Sequence, residues 1–425
     1  MATGVQPPTI RARRWHAVVA ASIGNALEWF DFAAFGFFAV TMGKLFFPAG
    51  SETTSLLIAF ATFGVTFFMR PLGALVLGHY ADRHGRKAAL TLVTTAMMAA
   101  TAVLAAAPTY ESVGLAAPIL VVTARLVQGF SAGGEFGSAT AFLAEQNPAR
   151  RGFFSSWQFA SQGLTTVLAA GFGAALATML TRDQIDAWGW RIPFIFGLLI
   201  GPVAYYIRTR LHETDEFHAT RTSEAPVRET LEHGKLRLLL GLGLIVLTTV
   251  TTYTVLFLPT YAIRQLGLST SNSFLAGMAT GTLQFALVPL VGSFSDRHGR
   301  IPIAAVSAAA LFVAVYPLFL WLAAAPTLQT LLIVQCCIGI LIAGYMGPIP
   351  ALMSELFPVR VRTTGLSVSY SLGVAVFGGF APFINAWLID ATGSKLAPSF
   401  YLMGAAAISF ATLMAIRKAP RLAGE

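Results

Sequence analysis

Charge is what this chain has least of. Only 11% of its 425 residues are Asp, Glu, Lys or Arg, against roughly 25% in soluble domains. Hydrophobic residues make up 56%, and the mean hydropathy is +0.69. A soluble fold of this length has no interior large enough for so much apolar surface, which excludes a cytosolic globular protein. Cysteine is nearly absent as well. Cys336 and Cys337 are the only two and stand side by side in an apolar run, which excludes a disulfide framework or a cysteine metal cluster. Histidine gives no catalytic pattern: His16, His79, His84 and His298 all fall at or near expected helix ends. There is no nucleotide-binding loop, metal cluster or nucleophile–base pair, so neither an enzyme nor a bound cofactor or metal is expected. The net charge of +9 is not a nucleic-acid footprint either. The basic residues sit in short clusters between apolar runs, the topology signal of an inner-membrane protein in a lipid bilayer.

The apolar runs themselves are what the chain has in abundance. A spanning helix needs roughly 20 apolar residues. On that ruler twelve spans are expected, at about 17–47, 55–79, 88–107, 114–144, 153–179, 191–208, 237–262, 272–294, 302–324, 328–354, 364–389 and 398–416. The first is too long for a signal-peptide core and has no convincing cleavage site. The fold class is therefore an all-α membrane protein. The one long polar segment, 209–236, separates a six-helix half at 1–208 from a second at 237–425. With a cytoplasmic N-terminus, 21 of the 28 basic residues fall on the cytoplasmic side, so both termini are placed there.

The halves are approximate copies. Gly78-His-Tyr-Ala-Asp82-Arg83-His-Gly85-Arg86 follows the second span, and Gly292-Ser-Phe-Ser-Asp296-Arg297-His-Gly299-Arg300 follows the eighth, 214 residues later. A second pair closes the fourth and tenth spans: Glu145-Gln-Asn-Pro148-Ala-Arg150-Arg151 and Glu355-Leu-Phe-Pro358-Val-Arg360-Val-Arg362, offset by 210. Two half-length repeats of membrane helices suggest a transporter with its site at the midplane between them.

These motifs resemble the major facilitator superfamily, whose signature is the Gly-x-x-x-Asp-Arg-x-Gly-Arg turn. Within it the chain is similar to the metabolite:proton symporters, through Gly24-Asn-Ala-Leu-Glu28-Trp-Phe-Asp31, Arg70-Pro-Leu-Gly73, Arg125-Leu-Val-Gln128-Gly-Phe-Ser-Ala-Gly133-Gly134-Glu135 and Trp188-Gly-Trp-Arg191-Ile-Pro193. The resemblance runs from about residue 15 to 415 and implies two pseudo-symmetric six-helix bundles working as a monomer. It also implies proton-coupled import of a small organic acid by alternating access, citrate or a related di- or tricarboxylate first. Proline, betaine, shikimate and 2-oxoglutarate are the alternatives within the family. A proton-driven exporter is the rival of another class. It is disfavoured because Gly163-Leu-Thr-Thr-Val-Leu-Ala-Ala-Gly171-Phe-Gly173 lacks the Gly-Pro-x-x-Gly-Gly pattern of exporters.

Charges inside spans cost about 2.5–3.5 kcal/mol each on insertion scales, and five are candidates: Glu28, Asp31, Arg70, Arg125 and Glu135. Glu28 and Asp31 share a helix face at i,i+3. Arg70 stands 12 residues before Asp82, about 18 Å deep at ~1.5 Å per residue. The repeat puts Gln284 and Gln335 opposite Arg70 and Arg125, so the fold by itself does not demand the arginines. Arg70, Arg125 and Gln284 are the expected substrate contacts, because guanidinium matches carboxylate. Asp31 is the expected proton carrier, with Glu28 the alternative. Similarity to sugar/proton symporters pairs Asp31 with Arg125. Glu135 and Arg191 are read as supporting or anchoring residues. Asp82, Arg86, Glu145, Asp296, Arg300 and Glu355 are the expected inner gate, a role the resemblance implies.

Overall fold

A computed structural model describes residues 10–84, 86–133, 135–209 and 234–418. Among them there is no strand. Nine helical runs are long and apolar enough to cross a membrane, and a bent pair makes a tenth. That pair is α1 (Ile10–Phe37) and α2 (Ala39–Phe46), which meet at 66°. The basic residues Arg11, Arg13 and Arg14, read from sequence as a tail, lie on α1.

The chain continues through α3 (Glu52–His84), α4 (Arg86–Ala106), α5 (Ala116–Ser131) and α6 (Glu135–Glu145), with α5 and α6 the two pieces of the expected fourth span. Then come α7 (Arg151–Met179) and α8 (Arg191–Thr209). Most of the polar segment expected as a linker, 210–233, lies outside the described residues. Beyond it are α9 (Lys235–Leu266), α10 (Thr270–His298) and α11 (Arg300–Ala324). The expected tenth span is α12 (Leu328–Met346) followed by α13 (Ile349–Leu356). The eleventh is α14 (Arg362–Gly373) and α15 (Ala381–Thr392), joined by a wide turn in which Gly379 N–H donates to the Val374 carbonyl at 2.7 Å. The last is α16 (Ala397–Lys418). α4 and α8 stand where the third and sixth spans were expected.

Connections are short because their termini are capped locally. Gly267 ends α9 at φ +69°, a left-handed backbone that favours glycine, and Ser269 accepts from Asn272 N–H to start α10.

In lipid, apolar burial gives helices little reason to associate, so close packing of small residues decides which ones meet. α7 and α10 cross at two such points. A Cβ on Gly152 would lie 2.4 Å from the Gly292 carbonyl, and one on Gly163 would lie 2.7 Å from that of Gly281. α3 meets α5 in the same way, a Cβ on Gly129 falling 1.8 Å from the Thr66 carbonyl. The sequence repeat is visible in this contact. Thr280 and Gly339 stand 214 and 210 residues after Thr66 and Gly129, and a Cβ on Gly339 would meet Thr280 at 3.3 Å.

Candidate functional site

Both intramembrane arginines are buried completely among aromatic rings. Arg70, on α3, is 2% exposed and Arg125, on α5, 0%. The Arg70 guanidinium lies 4.4 Å from the Trp29 ring centroid, 5.0 Å from Phe67 and 5.1 Å from Phe32. Arg125 lies 5.0 Å from Phe32, 4.5 Å from Phe35 and 5.6 Å from Phe63. The two cations thus flank Phe32. Ring faces carry partial negative charge and hold a desolvated cation, but they accept no conventional hydrogen bond. Nε and Nη2 of both arginines have no acceptor, which leaves four buried N–H-bearing nitrogens without a partner.

Asp31 is 4% exposed and sits one layer behind Arg125. Arg125 acts on it as a nearby charge, and the hydrogen bonds between them run through intervening side chains. Arg125 Nη1 donates to Gln128 Oε1 at 2.9 Å, and Gln128 Nε2 donates to Thr101 Oγ1 at 3.0 Å. Thr101 Oγ1 then donates to Asp31 Oδ2, toward which Gln128 Nε2 also points at 3.5 Å. Asp31 Oδ1 has no partner; it rests over Gly197 of α8, where a Cβ would come within 2.1 Å.

Glu28, 8% exposed, lies one turn before Asp31 and near the Tyr370 phenol, to which Gln162 Nε2 donates at 3.5 Å. Tyr253 on α9 completes the aromatic wall. Its ring centroid is 5.2 Å from Phe67 and 5.5 Å from Phe63, and its buried hydroxyl has no partner. Beside it is a cavity of about 10 Å³ lined by Phe159, Gln162, Thr248, Thr249, Thr252, Tyr253 and Tyr370, room for about one water. Helices from both ends of the chain therefore close on one point.

Gln284 is not brought to the arginines. It packs on α7 beside Gly163, its Nε2 buried without a partner. Gln335, the positional counterpart of Arg125, accepts from Thr280 Oγ1 at 2.9 Å and joins α10 to α12. Arg191 donates to the Ala107 carbonyl at 3.0 Å and lies over Trp190, an anchoring position.

Of the expected gate, the second motif copy is fully visible. Asp296 accepts from Gly152 N–H at 2.7 Å and Phe153 N–H at 3.0 Å, capping the N-terminus of α7. Arg300 reaches Asp296 at 3.4 Å and pairs with Glu355. Glu145 pairs with Arg362 at 3.4 Å, tying α6 to α14. Asp82 and Arg86 fall on α3 and α4, but their side chains lie outside the described ones. At the opposite end, Arg264 pairs with Glu52 at 2.9 Å and Phe274 packs on Phe37 and Phe38.

Sequence reasoning missed Thr101, which carries no motif.

A long chain, helical through most of its described residues, with repeated Gly-Asp-Arg turns and a cluster of buried charges, invites comparison with known carriers. The model of the Major Facilitator Superfamily matches residues 21–314, and that of the sugar (and other) transporters matches 207–424. The chain belongs to the major facilitator superfamily. Among similar curated proteins, the citrate-proton symporter of Salmonella typhi is 40% identical to this facilitator over 94% of the chain and 93% of that protein. The proline/betaine transporter of Escherichia coli strain K12 is 33% identical over 93% and 82%. In three dimensions the facilitator is similar to the proton:xylose symporter XylE bound to 6-bromo-6-deoxy-D-glucose, with a TM-score of 0.76, 16% identity and 96% of each chain covered. At that identity the likeness speaks for the fold. This facilitator is a multi-pass inner-membrane protein.

Proposed function

We propose that the chain imports citrate or a closely related di- or tricarboxylate together with protons, by alternating access. The observation that carries this reading is the pair of buried arginines on either side of Phe32, with four N–H-bearing nitrogens unpaired. Guanidinium donors match carboxylate oxygens in a bidentate fork and never deprotonate under working conditions. The similar citrate-proton symporters, 40% and 39% identical over most of the chain, support the substrate class. Tyr253 supplies a further hydroxyl from α9.

Asp31 is the proton carrier in this scheme, and Glu28 the alternative. The coupling ion is the proton, with no cofactor, metal or covalent chemistry. The working unit is one chain in the lipid bilayer, with residues 1–208 and 237–425 as two bundles joined by a cytoplasmic linker and both termini cytoplasmic. Substrate enters when the Arg264–Glu52 end parts. It leaves when Asp296, Arg300, Glu355 and Glu145, with Asp82 and Arg86, release the cytoplasmic end. Gln284 then serves α7–α10 packing or a contact made only in an open state.

The second reading is a zwitterionic osmolyte such as betaine. The Trp29, Phe67 and Tyr253 rings around Arg70 favour it, because the same faces would hold a ligand cation. Uptake into proteoliposomes under an inward proton gradient separates the two, with citrate, tricarballylate, 2-oxoglutarate, shikimate and betaine in the panel. Accumulation of a carboxylate that an uncoupler abolishes supports the first reading, and accumulation of betaine alone overturns it. Asp31→Asn should abolish accumulation yet keep exchange of preloaded substrate. Loss of both, or of neither, removes Asp31 from the role of proton carrier.

A further inference from the structure

We infer that Gln128 and Thr101 form a one-way hydrogen-bond chain through which protonation of Asp31 changes the hold of Arg125 on its substrate. The inference rests on the reading above that Asp31 carries the coupling proton and Arg125 contacts the anion. It adds two positioning residues and a route between them.

The direction of the chain is set by chemistry. Arg125 has only donors, so the Gln128 atom 2.9 Å from its Nη1 must be the amide oxygen. That turns the Gln128 NH₂ toward Thr101 Oγ1, which accepts at 3.0 Å. An ionised carboxylate only accepts, so the Thr101 hydroxyl places its hydrogen on Asp31 Oδ2. Every link is buried: Arg125 and Gln128 are 0% exposed, Thr101 1% and Asp31 4%. No water competes, and hydrogen bonds in such a medium polarise one another.

Asp31 offers one oxygen to this chain and keeps the other free. Oδ1 has no partner and lies over Gly197, so an incoming proton binds there without breaking a hydrogen bond. The proton comes from water on whichever side is open. Once it binds, Oδ2 is no longer part of an anion and accepts more weakly. Thr101 and Gln128 then draw less on Arg125, whose guanidinium is freer to turn its unpaired Nε and Nη2 to an anion. Among the described residues, Arg125 on α5 bears on Asp31, the buried Glu28 lies one turn before it on α1, α4 presents Thr101, and α8 presents Gly197. Arg70 on α3 and Tyr253 on α9 face Arg125. A direct Asp31–Arg125 pair would lock when Asp31 ionises. The relay passes only the change in acceptor strength, so the two charges stay separate.

Two readouts test this. The first is transport of citrate into proteoliposomes, as gradient-driven accumulation and as counterflow without a gradient. Thr101→Val keeps the shape but cannot donate. It should lose accumulation at least tenfold while counterflow stays within about threefold, and Thr101→Ser should restore accumulation. Equal loss of both activities that Ser does not rescue would mean a packing role only, and wild-type accumulation in Thr101→Val would overturn the relay. The second readout needs no substrate. Infrared difference spectra of purified protein with isotope-labelled arginine are taken as pH crosses the titration of the carboxyl band that Asp31→Asn removes. A guanidinium change absent in Arg125→Gln should accompany that titration in the wild type and in Thr101→Ser, and vanish in Thr101→Val. If wild-type protein accumulates no carboxylate yet shows this spectral link, the proposed substrate is wrong and the relay stands. A guanidinium signal that persists in Thr101→Val sinks the relay whatever the substrate.

Discussion

Asp296→Asn should open the end of the molecule that carries the expected gate, the cytoplasmic end in the proposed orientation. In the closed arrangement the Asp296 carboxylate accepts two backbone N–H groups at the start of α7, at 2.7 and 3.0 Å, and lies 3.4 Å from Arg300. Its side chain is 8% exposed, so solvent screens these contacts little. A hydrogen bond to a charged group is worth about 1.5–3 kcal/mol, and a negative charge at a helix N-terminus adds ~0.3–1 kcal/mol, more when partly buried. Asparagine keeps one oxygen and hence one N–H contact, but loses the charge and the second acceptor. The closed state should therefore lose about 2–3 kcal/mol, a shift of roughly 30–150-fold toward the open state. The assay uses Thr252→Cys in a background with Cys336 and Cys337 replaced by serine. Thr252 lines the cavity beside Tyr253, and opening of the gated end should expose it to a reagent from that side. In inside-out vesicles, labelling by a membrane-impermeant maleimide should accelerate by that factor in Asp296→Asn. An unchanged labelling rate would refute the argument that this carboxylate holds α7 and α10 together.

Four further outcomes follow from particular positions. Arg70→Lys keeps the charge beside Trp29 but loses the planar fork, so KM for uptake should rise about 10–100-fold; an unchanged KM takes Arg70 out of the binding site. Gly197→Ala puts a Cβ 2.1 Å from Asp31 Oδ1, so the carboxylate must swing off Thr101. Accumulation should fall at least tenfold with the protein still folded, compared against counterflow in the same vesicles. Gly129→Ala drives a Cβ to 1.8 Å from a backbone carbonyl that cannot yield and should cost ~1–3 kcal/mol or more, read as a lower Tm in detergent. Gly404→Ala, with nothing within 4 Å, should leave Tm unchanged or raise it.

Much of the candidate site was legible because charge inside a membrane is costly. Glu28, Asp31, Arg70 and Arg125 stand out from an apolar background by type alone, and the structure finds each of them buried. Gln284 shows where that logic stops. Repeat arithmetic maps backbone positions and puts Gln284 of α10 opposite Arg70 of α3. Position fixes where a side chain starts but not what it meets, and Gln284 meets Gly163 of α7. Thr101 shows the opposite failure. A single threonine in an apolar helix is unremarkable as sequence, yet its hydroxyl is the last link to Asp31.

The amino-acid sequence by itself determined what short-range physics controls. It set apolar runs long enough to span, a repeated pair of charged turns, and which few residues would need a reason to be buried. Tertiary structure alone decided how those residues are connected. Six helices meet around Asp31 and Arg125, and the gap between acid and cation is filled by an amide and a hydroxyl from α5 and α4. Hydrogen bonds act over about 3 Å, whereas these partners are up to 97 residues apart in the chain. Only the close approach of helices at small residues such as Gly129 and Gly197 brings them within reach.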